Sequence, residues 1–216
     1  MKRLTILALL PILFSCGSGE RVSKEVFEEV NNSMEVKKLS DAEILASALE
    51  WGDSISAKAQ AELISNLQKA IEEKGIPGAV EFCSTEAMSI KETLGSEYGV
   101  TIKRVSNAYR NPNDKPDEME SRILETYDYD VENQIKPTPN IQSIDGGKIL
   151  LYSKAIVIPG GLCLNCHGEP NKEINSETLT KIDSIYPNDL AKNHKVGDLR
   201  GMWAIYIPKS VVVKKL

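Results

Sequence analysis

Cys163-Leu164-Asn165-Cys166-His167 forms a C-x-x-C-H pentad, and the rest of the chain takes its meaning from it. Two thiols three positions apart can each add across a vinyl group of one haem, and the adjacent histidine can turn its imidazole onto the iron of the same macrocycle. Tether and proximal ligand then arrive together, which points to one covalently attached haem c. Two other chemistries use the same residue types. A redox disulfide of the thioredoxin kind needs a βαβ lead-in, which this chain does not have, and would leave His167 without a role. A structural zinc site could join Cys163 and Cys166 to Cys83 and a histidine, because three thiolates and an imidazole make a sound tetrahedron; the chain would then be a zinc-stabilised binding module.

Working outward from the pentad, residues 148–158 are a long run of apolar and β-branched residues that reads as a strand, entered from an Asp145-Gly146-Gly147 turn and ended by Pro159-Gly160-Gly161. The pentad is therefore expected in a loop just past a strand end. Downstream, a polar stretch carries one short helix about residues 179–185. Tyr186-Pro187 and Gly197-Asp198-Leu199-Arg200-Gly201 bracket His194, and a last strand covers residues 202–207. His194 is an alternative distal ligand for the iron, although a lone histidine beside Lys192, Asn193 and Lys195 is more often solvated.

The N-terminal half reads as helical. Ile44, Leu45, Ala48, Leu63, Ile64, Leu67, Ala70 and Ile71 recur at helical spacing, with Ser40-Asp41 as a start signal and Gly75-Ile76-Pro77-Gly78 as a stop. One long helix is expected, with Gly52-Asp53 as a place where it could break. Residues 79–88 form the next helix, on which Ala79 and Ala87 flank Cys83 one turn away on either side, so a flat macrocycle could approach closely. Cys83 is either a buried small hydrophobe or a thiolate ligand to iron, which would favour the ferric state and lower the potential.

A first strand is expected at residues 100–105. Beyond it lie Arg104 and Arg110, both candidates for pairing with haem propionates, since a planar guanidinium suits a carboxylate. Pro116-Asp117 opens a helix to about Tyr127, and residues 127–138, acidic and punctuated by proline, are expected as loop.

The first residues set the compartment. Lys2-Arg3 precedes an apolar run at residues 4–14, too short to span a bilayer, with the layout of a secretory signal over residues 1–15. Leu13-Phe14-Ser15-Cys16 resembles a bacterial lipobox, in which Cys16 becomes the lipid-bearing N-terminus; residues 16–40 are then a flexible tether with a helical turn around Val26-Phe27, and residues 41–216 are one c-type haem-binding domain. Removing the signal takes away two cations, so the net charge of -5 falls to about -7. Such a surface is a poor partner for nucleic acid, and a lipid anchor on Cys16 is the expected means of holding the domain to a membrane.

Taken together, the isolated cysteine on a helix, the Arg104 to Asp117 segment with its Arg-Asn-Pro, the pentad after a strand, and Tyr186-Pro187 followed by Gly-Asp-Leu-Arg-Gly resemble the bacterial family of periplasmic c-type haem domains with a PAS-like fold. The resemblance covers nearly everything from Asp41 onward. It implies an α+β domain with a PAS-like antiparallel sheet flanked by helices and a long N-terminal helix. It also implies iron held by His167 and, from the far side, by Cys83. Where that family has an aromatic such as tyrosine before Gly-Asp-Leu-Arg-Gly, this chain has His194. The expected function is a membrane-tethered periplasmic haem-based redox or small-ligand sensor, with an electron-transfer protein as the alternative and a redox or signalling protein as partner. Iron with both axial positions filled leaves no place for a substrate, so an enzyme is not expected.

Overall fold

The computed structural model describes residues 23–27 and 39–216, with residues 83–88 described by their backbone alone. Residues 24–27 form a helical turn in which Ser23 Oγ accepts from the Val26 N–H at 3.3 Å. Leu39–Leu216 is a compact unit of its own.

This unit opens with α1, Asp41–Tyr98. Its start is a capping box: the Ser40 hydroxyl accepts from the Glu43 N–H at 3.2 Å, and the Glu43 carboxylate accepts from the Ser40 N–H at 2.8 Å. The helix runs straight through Gly52, contrary to the break expected there. Gly52 is instead a dent in the helix surface filled by Tyr152, since a Cβ at that position would lie 2.3 Å from the tyrosine Cγ. The real interruption is at Gly75, where φ of 68° and ψ of 175° leave the helical region two residues before Pro77. A glycine tolerates that backbone and the proline cannot continue the ladder, so the rod is two helical segments joined at a corner. Cys83 belongs to the second segment. Gly99, left-handed at φ 66°, closes α1.

Four antiparallel strands follow, β1 (Thr101–Val105), β2 (Asn140–Ile144), β3 (Ile149–Val157) and β4 (Leu199–Pro208), in the spatial order β1-β4-β3-β2. Alternation along each strand sends residues to two faces. On one face Ile102, Leu150, Tyr152, Trp203, Ile205 and Ile207 pack against Ile44, Ala48, Ile55 and Ala59 of α1. On the other, Val105, Leu151, Met202 and Ala204 meet Ile123, Leu124 and Tyr127 of α2 (Glu118–Glu132). The sheet is thus covered on both sides, and burying a side chain such as Leu151 contributes about 1.5–3 kcal/mol.

Three sequence expectations need correction. Helix α2 continues through residues read as loop, because Tyr127 anchors it by donating its hydroxyl to the Ser153 carbonyl at 3.0 Å. Strand β2 was missed, since its short polar-interrupted segment earns its conformation by pairing with β3. The pentad lies in α3 (Gly161–His167), a helix rather than a loop. Two more helices, α4 (Ser176–Ile185) and α5 (Lys209–Lys215), complete the unit. Among the described residues, no helix is long and apolar enough to cross a membrane.

Candidate functional site

Helical geometry decides where the two thiols go. Positions three apart on a helix share a face, so α3 presents Cys163 and Cys166 side by side, both half-buried and neither in a disulfide. Burial pushes the Cys163 thiol up, keeping it in its neutral form. Cys166 packs against a cluster of Val80, Ile174, Ile182 and Tyr186. Val80 lies on the second segment of α1, one turn before Cys83, and Glu81 beside it pairs with Lys181 of α4. The segment carrying Cys83 and the helix carrying the pentad are therefore packed through a shared apolar cluster, although the Cys83 side chain itself lies outside the described atoms.

His167 carries the most informative contact. Its Nδ1 sits 2.9 Å from the Ala191 carbonyl oxygen. A carbonyl only accepts, so the neutral ring must hold its proton on Nδ1, and the lone pair is then on Nε2. Burial, with help from the Arg200 and Arg110 charges, holds this imidazole well below its usual pKa, and a neutral imidazole with one free nitrogen is what a metal requires.

The chain wraps the end of α3 with residues 189–194. The Asn193 N–H donates to the Gly168 carbonyl at 2.8 Å and the His194 N–H to the His167 carbonyl at 2.9 Å. Arg110 closes the same end from another direction, its Nη2 donating to the Cys166 carbonyl at 2.6 Å and to Asp189 Oδ2 at 3.1 Å. The Asp189 side chain is fully buried and that of Arg110 is 11% exposed, and Asp189 Oδ1 also accepts from the Ala191 N–H at 2.8 Å. One buried carboxylate thus fixes both the arginine and the residue that orients His167.

The structure places His194 beside His167 rather than across from it: their ring centroids are 6.2 Å apart at 83°. His194 Nε2 is buried without a hydrogen-bond partner among the described residues. Arg104 lies on β1, paired in register with Trp203. Cys16 lies outside the described residues. Asp189, Ala191 and Arg200 were not singled out from the sequence as site residues; an acid set among turn formers at Tyr186-Pro187-Asn188-Asp189 was the available signal for the first.

Arg200 owes its place to a bulge. The β3–β4 register passes from Ile156 opposite Gly201 to Val157 opposite Leu199, leaving Arg200 as the extra residue. Gly201 is required there, because at φ 157° a Cβ would stand 2.5 Å from the Val105 carbonyl. Arg200 Nη1 donates to the Ala108 carbonyl at 3.1 Å. Burial and the nearby Arg104 and Arg110 charges pull it down to about 9. Among the described residues, no three His, Cys, Asp or Glu side chains converge as a metal site, so a zinc tetrahedron has no preformed geometry here without Cys83.

Fold and site together define an α+β domain centred on a C-x-x-C-H helix whose histidine is oriented from behind and open in front. A family model, Tll0287-like (Tll0287), matches residues 21–208, and the chain belongs to that family. The crystal structure of the cyanobacterial heme-protein Tll0287 is similar to it at 23% identity and a TM-score of 0.49, over 68% of this chain and 95% of that one. No curated protein matches.

Proposed function

We propose that this chain is an extracytoplasmic c-type haem protein, anchored through lipid on Cys16, that acts as a redox or small-ligand sensor. The observation that carries the reading is the His167 Nδ1 contact with the Ala191 carbonyl, which leaves Nε2 free beside two thiols on one helical face. Family membership supports it, since the namesake Tll0287 is a heme-protein by its own description. Haem would be held covalently by Cys163 and Cys166, with His167 on the iron and Cys83 on its far side. His194, the alternative distal ligand, has its backbone N–H on the His167 carbonyl and its ring edge-on to the His167 ring, which favours Cys83 over it for that role. The four-stranded sheet with helices on both faces supports a PAS-like arrangement.

Sensing is favoured over plain relay by the corner at Gly75. A bond to Cys83 would tie the second segment of α1 to the iron, and making or losing it would bear on a segment already jointed to the rest of the helix. Electron transfer is the second reading, favoured by the partial exposure of Cys163 and Cys166, which would put the edge of an attached macrocycle near the surface. With both axial positions occupied, the iron would offer no open coordination position to a substrate.

The deciding experiment is the visible spectrum of full-length protein made with haem-maturation machinery, before and after acid-acetone extraction, for wild type and Cys83→Ala. The expected result is colour that resists extraction, with a ferric spectrum changed by Cys83→Ala. Pigment that washes out removes the covalent haem, and an unchanged ferric spectrum removes the thiolate.

A further inference from the structure

One carbonyl in the site faces two donors. The Ala191 oxygen accepts from His167 Nδ1 at 2.9 Å and lies 3.4 Å from Arg110 Nη2. That nitrogen carries two hydrogens and has three oxygens around it. The two nearer ones, the Cys166 carbonyl at 2.6 Å and Asp189 Oδ2 at 3.1 Å, take the hydrogens, so what reaches the Ala191 oxygen is mostly charge. Arg110 Nε is buried with no hydrogen-bond partner among the described residues. A guanidinium is ordinarily placed for its planar fork; here Nη2 alone meets these oxygens, and the site uses Arg110 as a point of charge.

The distance between this charge and the shared oxygen is fixed from several sides. Ala191 is fully buried, the Arg110 side chain is 11% exposed and that of Asp189 not at all. Asp189 Oδ1 accepts from the Ala191 N–H at 2.8 Å. The carbonyl of Tyr109, next to Arg110 in the chain, accepts from the Leu190 N–H at 3.1 Å. Residues 109–110 are therefore tied to residues 189–191 through both backbone and side chain. Lys192 also stands 3.9 Å from Asp189 Oδ2, but its nearer partner is Asp183 at 2.7 Å, so Arg110 is the close counter-charge of Asp189. A charge held this far from water is little screened by salt.

A ligating histidine that donates its other N–H to a carbonyl becomes a more basic ligand. An acceptor that also faces a cation gives up less electron density to that donor, and the gain in basicity is held back. Resting on the haem reading above, we propose that Arg110 is a positioning residue that acts through the shared Ala191 carbonyl to limit electron donation from His167 to iron. A less donating ligand favours the reduced metal, so Arg110 sets the midpoint potential higher than the pair of His167 and Cys83 would alone. Asp189 has two parts in this: it neutralises the buried guanidinium, and it keeps the Ala191 backbone in place.

The test uses the full-length chain with Arg110→Met and Asp189→Asn combined. The pair of changes removes the cation without leaving a buried carboxylate unpaired, and the amide oxygen at the second position still accepts from the Ala191 N–H. Two quantities are read: the His167 Nδ1–H signal in proton–nitrogen NMR of haem-free protein, and the midpoint potential of haem-loaded protein. The double variant is expected to move the Nδ1–H signal downfield and the potential negative, and Arg110→Lys, which keeps the charge, to recover most of both. A potential that falls while the Nδ1–H signal stays at its wild-type position shows a direct charge effect on the iron and overturns the proposal, as do readings that superimpose on wild type. Should the double variant fail to fold, Arg110→Gln is read in the same two ways. Wild type that takes up no covalent haem overturns the haem reading beneath the proposal, while the NMR measurement still decides whether Arg110 acts on His167.

Discussion

His194 donates its backbone N–H to the carbonyl of His167 at 2.9 Å, and the two imidazoles meet edge to face with centroids 6.2 Å apart. Both rings are pushed below the usual histidine pKa, each chiefly by burial and then by the Arg200 charge. An unfolded chain takes up protons at these histidines below about pH 6.5, while the folded chain resists until a lower pH. Stability of protein made without haem is therefore expected to be level above about 6.5 and to fall as pH drops below it towards the folded-state values. Urea midpoints across that range check this, and a profile that rises on acidification refutes it.

Asp189→Asn is expected to be severe. The carboxylate is the counter-charge of Arg110, whose side chain is 11% exposed, and removing one partner of a buried pair costs about 3–5 kcal/mol. Chemical denaturation measures the loss. Because Asp189 also holds the Ala191 N–H, the same variant should broaden the His167 ring signals in NMR.

Gly52→Ala tests the packing of α1 on the sheet. A new Cβ would meet the Tyr152 ring at 2.3 Å, and the tyrosine cannot move freely, because its hydroxyl lies 3.2 Å from Ser56 Oγ and donates to Asp53 Oδ1 at 3.1 Å. Overpacking of this kind costs about 1–3 kcal/mol. The helix signal in circular dichroism should survive while the melting temperature drops.

Gly201→Ala is expected to separate stability from position. The clash with the Val105 carbonyl at 2.5 Å forces β1 and β4 apart at the bulge, so the variant loses stability and also displaces Arg200. Hydrogen exchange should quicken in β1 and β4 before it quickens in α2.

Much of the scaffold could be read from residue order. The start at Ser40, the corner at Gly75, the first strand, the turn at Asp145-Gly146-Gly147 and the final strand all follow from local chemistry, and the structure bears them out within a residue or a few. What escaped depended on distant partners. Strand β2 has no pattern of its own and is made by β3; α2 outlasts its acidic composition because Tyr127 reaches Ser153; and Gly52 looks like a breaker until Tyr152 fills it. In the site, the pentad announced itself, but the roles of its surroundings did not. Asp189 and Ala191 act on His167 from more than twenty positions away, and a register slip in β4 gives Arg200 its place, which no spacing in one strand reveals.

The wrapping of α3 by residues 189–194 also imposes an order of events. The carbonyls of Cys166, His167 and Gly168 are already spoken for by Arg110, His194 and Asn193, and those partners are synthesised both well before and well after the motif. The clasp grips the backbone of the motif and leaves both thiols half-exposed, so on the haem reading it fixes the helix that presents them without walling them off, and the pentad acquires its final shape only when residues far down the chain have been made.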